Sequence, residues 1–239
     1  MKITYLDHSG FLVETNAGNY LFDYIRGEIP KMEPHKPLYV LVSHRHGDHF
    51  NPEIFKLRKK YPSVTFILSY DIKVNSYRLN KWEIEEKEDA NIISVRANTT
   101  YEIDDFKLST LKSTDAGVAF ILQTKEETIY HAGDLNWWYW EGESKSLNNN
   151  MTASFKREID KMTDVSVDVA FVPLDGRQEA YYYLGLAYFM EKVNAKHIFP
   201  MHFWGDFSLI NQFIEEGHGK GKEDYIIRMT KEGESFTIQ

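Results

Sequence analysis

The strongest constraint on the fold is a run of five apolar residues, Leu38–Val42, that ends at a loop crowded with histidine and aspartate. A continuous apolar run of this kind is typical of a strand buried on both faces. The residues that follow it are Ser43-His44-Arg45-His46-Gly47-Asp48-His49. Because this loop begins where the strand ends, it can curl its side chains inward. The sequence therefore predicts a buried strand that delivers several polar side chains to one place.

The rest of the chain shows strand and helix patterns with no repeat, low-complexity tract or linker. Further strands are predicted at 2–6, 11–14, 20–22, 64–68, 106–110, 118–122, 167–172, 198–199 and 235–238, and helices at 51–61, 151–162, 180–193 and 209–215. Early strands, a mixed middle and a late β-α-β pattern predict two packed sheets with helices outside. We expect one continuous domain over residues 1–239.

The amino-acid composition limits the chemistry that the chain can perform. It has no cysteine, which excludes disulfides, thiolate-bound zinc and a cysteine nucleophile, so any metal site must use His, Asp or Glu. The net charge of −8 disfavours binding to nucleic acid or to anionic lipid. The sequence shows no signal-peptide pattern and no membrane-length apolar run, so we expect a cytoplasmic protein with no membrane partner.

The loop after the buried strand contains the pattern H-x-H-x-D-H, formed by His44, His46, Asp48 and His49. Imidazole and carboxylate are ligands that zinc and similar divalent ions accept. Two histidines in an extended stretch point the same way, and the other two residues follow a turn at Gly47. This spacing divides the four ligands between two adjacent ions. The alternative is a polar loop whose histidines are satisfied by hydrogen bonds.

This pattern after a buried strand resembles the first metal motif of the metallo-β-lactamase superfamily. Two later segments follow in the order of that superfamily. His131-Ala-Gly-Asp134 is similar to the motif whose aspartate bridges two metals, and Phe199-Pro-Met-His202 is similar to the final histidine motif. The resemblance implies that Asp134 bridges the two ions and that His202 completes the second.

The N-terminal segments resemble one branch of that superfamily, which contains the ascorbate-phosphate lactonase-like hydrolases. The resemblance lies in His8-Ser9-Gly10-Phe11 and in Leu21-Phe22-Asp23. It implies an α+β fold, a four-layer αββα sandwich of the metallo-β-lactamase type, with two divalent metal ions. Zn²⁺ is expected, with Mn²⁺ or Fe²⁺ as alternatives. We expect Asp23 to support the first loop by hydrogen bonds, while His8 either lines the pocket or caps a turn.

One departure from the superfamily's pattern is that residues 50–130 contain no histidine, although a further ligand to the first ion usually lies there. Asp115 precedes a predicted strand where that ligand would fall, and its carboxylate is the natural substitute. The first ion would then be held by His44, His46, Asp115 and Asp134. A carboxylate in place of an imidazole shifts preference toward Mn²⁺ or Fe²⁺ without excluding Zn²⁺. The alternative is that Asp115 is only a turn or N-cap residue.

The implied activity is hydrolysis by a hydroxide held between two ions roughly 3.5–4 Å apart. We expect Asp48 to orient this hydroxide and carry a proton to the leaving group, and His131 is a second proton-transfer candidate. The predicted substrate is a small molecule, an ester, lactone or phosphoester, with an anionic group as one option. The competing hypothesis is a non-catalytic member of the fold that binds a metal or ligand. A homo-oligomer is compatible with either.

Two further features have open interpretations. Trp137, Trp138 and Trp140 follow Asp134 closely, and their indoles form either a wall over the metals or part of the core. Residues 174–177 end a predicted strand and contain Asp175 and Arg177. These two side chains either face the rim of the pocket, where the guanidinium would suit an anion, or lie in a surface turn.

Overall fold

The computed structural model describes residues 1–33, 35–82 and 91–238. Over these residues the strands are β1 (Lys2–Asp7), β2 (Gly10–Glu14), β3 (Asn19–Phe22), β4 (Leu38–Val42), β5 (Thr65–Ser69), β6 (Ile92–Val95), β7 (Thr100–Ile103), β8 (Phe106–Lys112), β9 (Val118–Gln123), β10 (Thr128–His131), β11 (Ser166–Pro173), β12 (Asn194–Met201) and β13 (Ser235–Thr237). The α-helices are α1 (Ser76–Lys81), α2 (Lys145–Ile159), α3 (Leu184–Lys192) and α4 (Ser208–Glu215). Short 3-10 helices occupy Pro52–Lys59, Asp160–Met162, Gly176–Tyr181 and Glu223–Tyr225.

The chain divides into two compact units, each with its own sheet. The first unit comprises Met1–Arg96 with Glu232–Gln239, and the second comprises Ala97–Lys231. The single domain predicted over residues 1–239 stays a prediction. Within the described residues, no helix has the length and apolar character that a membrane span requires.

The sheet of the first unit has the strand order β13-β1-β2-β3-β4-β5-β6. Strands β3 to β6 run parallel, whereas β13, β1, β2 and β3 pair antiparallel. Every residue of β4 is buried, as its apolar run predicts. Val40, Phe66 and Leu68 belong to one apolar cluster with Ile54 and Phe55 of the first 3-10 helix. Because β3 and β4 are parallel neighbours, the residues that follow them lie at the same edge of the sheet.

The sheet of the second unit has the strand order β12-β11-β10-β9-β8-β7. Strands β10, β11 and β12 are parallel, and β7 to β10 pair antiparallel. The ring of Tyr130 on β10 stacks on Phe189 of α3, with centroids 5.2 Å apart. The three parallel strands place the segments after them at one edge.

The structure shifts several predicted helices. The helix predicted at 51–61 is a 3-10 helix, although Asn51 caps it as expected through a hydrogen bond from the amide of Glu53. The helix predicted at 151–162 begins earlier, at Lys145, because the Ser144 side chain caps it. The helix predicted at 180–193 begins later, at Leu184. Glu179 has a φ of 51°, so the chain before it follows a separate 3-10 turn.

Candidate functional site

In the first unit, the loop after β4 is held by Asp23, which follows β3. The Asp23 side chain is fully buried, and its carboxylate accepts hydrogen bonds from the Ser43 amide (2.7 Å), the Ser43 hydroxyl (2.6 Å) and His49 Nδ1 (2.7 Å). Three donors on one buried carboxylate satisfy its oxygens and fix the loop that supplies them. The predicted role of Asp23 as a support of this loop is confirmed.

The same hydrogen bonds orient two histidine rings. The Ser43 hydroxyl donates its proton to Asp23, so it accepts from His44 Nδ1 at 3.0 Å. His49 Nδ1 donates to the Asp23 carboxylate. In a neutral imidazole with the proton on Nδ1, the lone pair lies on Nε2. His44 and His49 are therefore in the tautomer that presents Nε2 to a metal ion, which is the usual arrangement of metal-binding histidines.

The loop folds into a tight turn that brings its four candidate side chains together in two pairs. The carbonyl of His46 accepts hydrogen bonds from the amides of His49 (3.0 Å) and Phe50 (2.8 Å). The rings of His44 and His46 lie with centroids 4.6 Å apart, and a ligand atom of each lies within 4.8 Å of the other. Ligand atoms of Asp48 and His49 are equally close. The loop therefore offers two adjacent ligand pairs.

His8 contacts this loop from the turn between β1 and β2. Its side chain is 5% exposed, with Nε2 3.6 Å from an oxygen of Asp48 and the ring edge-on to His49 at 5.5 Å. The Asp48 side chain is 30% exposed, so solvent reaches it. Of the two interpretations of His8, the structure favours the one in which it lines the predicted site.

Three of these side chains are carried on left-handed backbone. The φ angles are 48° at His8, 39° at Asp23 and 67° at His202. Non-glycine residues rarely adopt such angles, which cost on the order of 1–3 kcal/mol each and concentrate at functional sites. At Asp23 and His202, hydrogen bonds of the side chains help to hold this conformation.

In the second unit, three predicted or supporting residues follow the parallel strands β10, β11 and β12. These are Asp134, Asp175 and His202, and all three are buried. His202 Nδ1 lies 2.9 Å from Asp175 Oδ2, and His202 Nε2 lies 3.2 Å from Asp134 Oδ1. The supporting role of Asp175 was not predicted from the sequence. It holds His202 as Asp23 holds His49, and its position after the strand between β10 and β12 is the signal that could have revealed it.

The surface-turn and rim interpretations of Asp175 are wrong, because its side chain is fully buried. Arg177 is half exposed and binds this carboxylate, with Nε 3.0 Å from each oxygen. Burial alone would raise the pKa of Asp175, but hydrogen bonds from His202 and Arg177 lower that pKa well below its usual value. Asp175 is therefore a carboxylate that stays ionised and orients His202.

Asp115 and His131 flank Asp134 in different ways. Asp115 is exposed, its amide bonds the Ser113 hydroxyl at 3.1 Å, and its carboxylate has an atom within 4.8 Å of a ligand atom of Asp134. It therefore has both the turn contact and the proximity that a ligand needs.

His131 is fully buried, and its Nδ1 accepts a hydrogen bond from the Gly133 amide at 3.1 Å. This bond stabilises the turn that presents Asp134.

The three tryptophans after Asp134 have two different roles. Trp137 is structural, because its indole donates to Thr152 at 2.9 Å and packs near Phe155, with Lys156 over its ring. Trp138 and Trp140 instead stack in parallel and line a cavity. Trp137 is therefore half-buried against α2, whereas Trp138, which is 7% exposed, and Trp140 line the cavity. The interpretation of the indoles as a wall over the metals stays a prediction.

The candidate ligands in each unit are of residue types that suit a divalent metal ion. The first unit offers His44, His46, Asp48 and His49, and the second offers Asp115, Asp134 and His202. Imidazole and carboxylate together suit Zn²⁺, Mn²⁺ and Fe²⁺. A buried carboxylate behind a histidine in each unit fixes the direction of the ring.

Comparisons with known proteins give the following similarities. Residues 2–150 match the family described as the beta-lactamase superfamily domain. A protein of Carboxydothermus hydrogenoformans named a UPF0173 metal-dependent hydrolase is 26% identical over 230 residues, covering 92% of this chain and 94% of that protein.

Two solved structures are similar in fold. Igni18, described as a metallo hydrolase of Ignicoccus hospitalis, superposes with a TM-score of 0.64 at 15% identity and covers 100% of this chain and 99% of its own. YhfI of Bacillus subtilis, described as a metallo-beta-lactamase fold protein, has a TM-score of 0.62 at 14% identity, with 98% of both chains covered.

Proposed function

This chain belongs to the beta-lactamase superfamily and is a metal-dependent hydrolase, and we propose that it uses two divalent ions to hydrolyse a small ester, lactone or phosphoester. The predicted membership in this superfamily and the predicted α+β metallo-β-lactamase fold are both confirmed. The resemblance of residues 8–11 and 21–23 to the lactonase-like branch is what brings lactones into the proposed substrate class. The net charge of −8 supports a small-molecule substrate over nucleic acid. We further propose that the reaction takes place in the cytoplasm.

The proposed ligand set is the one that the sequence motifs imply. His44, His46 and Asp115 would hold one ion, Asp48, His49 and His202 would hold the other, and Asp134 would be a ligand to both. The observation that carries this proposal is the pair of buried aspartate–histidine contacts, Asp23 with His49 at 2.7 Å and Asp175 with His202 at 2.9 Å. Buried carboxylates that orient Nε2 in this way are characteristic of metal ligands.

When bound, two divalent ions supply a nucleophile from water at neutral pH and polarise the bond that breaks. The residues of the chain then position and move protons. Asp48 is partly exposed beside the buried His8, so it can accept a proton from water and pass it to the leaving group. His131 has its Nδ1 engaged by Gly133, so only its Nε2 can take part in proton transfer.

The first prediction concerns metal content. Protein purified anaerobically and reconstituted separately with Zn²⁺, Mn²⁺ or Fe²⁺ is expected to hold about two ions per chain, because seven oxygen and nitrogen donors are available for them. Elemental analysis gives the stoichiometry, and a panel of aryl esters, lactones and phosphodiesters gives the activity. Less than one ion per chain would contradict the site. Two ions with no turnover of any substrate would instead support a non-catalytic binding protein.

The second prediction concerns Asp115. If its carboxylate binds the first ion, Asp115→Ala is expected to lower the stoichiometry to about one ion per chain, while the ion held by Asp48, His49 and His202 persists. Asp115→His restores an imidazole and is expected to shift preference toward Zn²⁺. Titration of each variant with Mn²⁺ and Zn²⁺ measures both effects. The outcome that excludes Asp115 as a ligand is unchanged stoichiometry and preference in both variants, with at most about 1 kcal/mol lost from the turn.

A further inference from the structure

The second unit contains a cavity of about 480 Å³ that the proposed ligand set does not explain. It lies beside residues 112–115 and extends along α2, with Trp138 and Trp140 on its wall. Asp115 lines it, and an atom of the Asp115 carboxylate is within 4.8 Å of a ligand atom of Asp134. One end of the cavity therefore lies beside two of the proposed metal ligands, Asp115 and Asp134. The part of a bound substrate that is remote from the scissile bond would extend into this cavity.

Trp138 and Trp140 form an aromatic, apolar part of a lining whose other residues are mostly polar. The rings of Trp138 and Trp140 are within 3° of parallel, with centroids 6.0 Å apart. Trp138 also meets the ring of His202 edge-on, at a centroid distance of 5.5 Å. Two parallel indoles present a surface on which a planar π-system stacks with favourable quadrupole interactions. An aliphatic group of the same size lacks this additional attraction.

Hydrogen bonds hold the Trp138 indole and the Trp140 backbone in place. The Trp138 indole donates to the carbonyl of Asp134 at 3.0 Å. The backbone of Trp140 is held at both ends by Asn148 on α2, whose amide oxygen accepts from the Trp140 amide (3.2 Å) and whose amide nitrogen donates to the Trp140 carbonyl (2.9 Å). Asn148 is 5% exposed, so this contact is shielded from water. The wall is therefore ordered before a ligand arrives, which reduces the entropy cost of binding.

Hydrogen bonds also fix the start of the segment that carries the tryptophans. The Thr114 hydroxyl donates to the carbonyl of Asn136 at 2.6 Å and accepts from its amide at 3.1 Å. Helix α3 has glycine at position 185, where a Cβ would lie 1.8 Å from Asn136 Oδ1. The close approach of α3 therefore requires this glycine. The irregular segment that presents the wall is fixed at both of its ends.

The charges around the cavity do not select an anion. Its lining contains Lys112 and Arg157 as cations against three carboxylates, of Asp115, Glu143 and Glu158. The buried Glu158 carboxylate contacts two cations, Lys161 Nζ at 2.6 Å and Arg157 Nε at 3.7 Å. Together with Lys161, the side chains of the lining carry three positive and three negative charges, so these side chains give an anionic group no net attraction.

We propose that this cavity is a subsite for an uncharged planar group of the substrate, aromatic or heteroaromatic, attached to the bond that is hydrolysed. The proposal rests on the proposed hydrolytic function and specifies its substrate class. The planar group stacks on Trp138 and Trp140, and the scissile bond lies at the Asp115 end. Selection of an anionic substrate, if it occurs, falls to other residues.

The test compares two uncharged probes of similar size, 2-naphthol and its saturated analogue decahydro-2-naphthol. Isothermal titration calorimetry on the full chain, after metal removal with EDTA, measures binding without any contribution from metal or turnover. We expect 2-naphthol to bind about 3- to 10-fold more tightly, the range that stacking adds beyond buried area. Equal affinities for the two alcohols would overturn the proposal.

Variants then locate the binding site. Trp140→Ala is expected to weaken 2-naphthol binding about tenfold, as is typical for loss of a stacking indole, whereas Trp140→Phe keeps most of the affinity. Met151→Trp, which adds an indole from α2 without altering the wall, is expected to block the cavity and keeps the test valid if Trp140→Ala does not fold. The control Tyr225→Ala removes an exposed aromatic ring elsewhere in the unit and leaves binding unchanged. Wild-type affinity in both Trp140→Ala and Met151→Trp contradicts the proposed location.

The acetates of the two alcohols separate this proposal from the function on which it rests. With metal-loaded protein, a lower KM for 2-naphthyl acetate than for the saturated ester supports both. Hydrolysis of both esters with equal KM values upholds the hydrolytic function and overturns the subsite. Binding of 2-naphthol without hydrolysis of any ester, lactone or phosphoester upholds the subsite and overturns the function.

Discussion

The Asp134→Ala variant is expected to lose both metal ions and, with them, hydrolysis. A bridging carboxylate offsets the repulsion between two cations, so its removal destabilises the pair and not a single ion. Asp134 is 4% exposed and its Oδ1 lies 3.2 Å from His202 Nε2, so a second proposed ligand loses its neighbour as well. We expect metal affinity to fall by more than about 100-fold, beyond the effect of removing a supporting residue.

Elemental analysis after dialysis against a fixed concentration of free Zn²⁺ or Mn²⁺ measures this loss, and circular dichroism confirms that the variant is folded. Asp164→Ala is the matched control, since it removes an exposed aspartate from the same unit. Retention of two ions at wild-type affinity would show that Asp134 is not the bridge. Loss of only one ion would show that it is a ligand to a single metal.

The Asp23→Ala variant is expected to lose about 3–5 kcal/mol of unfolding free energy even in metal-free protein. The substitution leaves three buried donors, from Ser43 and His49, without the carboxylate that accepts them. Urea unfolding of the EDTA-treated protein measures the change with no contribution from metal binding. A loss below about 1 kcal/mol would mean that the loop is held in another way.

The conservative variant Asp23→Asn separates stability from metal binding. Its amide oxygen can still accept from the Ser43 amide, but its NH₂ group would face His49 Nδ1. His49 then gains a hydrogen bond by moving its proton to Nε2, which removes the lone pair that binds a metal. We expect a smaller stability loss than in Asp23→Ala, together with a 10- to 100-fold loss of metal affinity. Unchanged metal affinity would contradict the assigned tautomer.

The sequence was informative where a residue's role depends on its immediate neighbours. The apolar run of β4 and the loop that follows it predicted a buried strand with ligands at its end, because burial and turn chemistry are local properties. Asp23 was also identified as a support, although Ser43 and His49 lie 20 and 26 residues away from it, because the resemblance of Leu21-Phe22-Asp23 to a known family indicated this role. The helix boundaries show the limit of such reasoning. Helix α2 starts earlier than predicted, because Ser144 caps it, and α3 starts later than predicted, after the positive φ angle at Glu179.

The roles that the sequence did not reveal depend on contacts between distant segments. Asp175 and His202 are 27 residues apart and meet only because β11 and β12 are parallel neighbours. The three tryptophans look alike in sequence, but their hydrogen bonds differ. The Trp137 indole donates to Thr152, whereas Asn148 bonds the backbone of Trp140. Asp115 makes a local turn contact with Ser113, and its carboxylate also lies close to Asp134, which is 19 residues away in sequence. The sequence pattern alone therefore could not decide whether Asp115 is a turn residue or a metal ligand.

The reciprocal contact between Asn148 and Trp140 has an evolutionary consequence. Asn148 lies on α2, a helix that carries none of the proposed metal ligands, yet its amide sets the position of an indole on the cavity wall. Mutations on α2 can therefore reshape the wall while the histidines and aspartates of the loops stay unchanged. In related proteins, substitutions on α2 can therefore change which substrates are accepted without altering the residues proposed for the reaction.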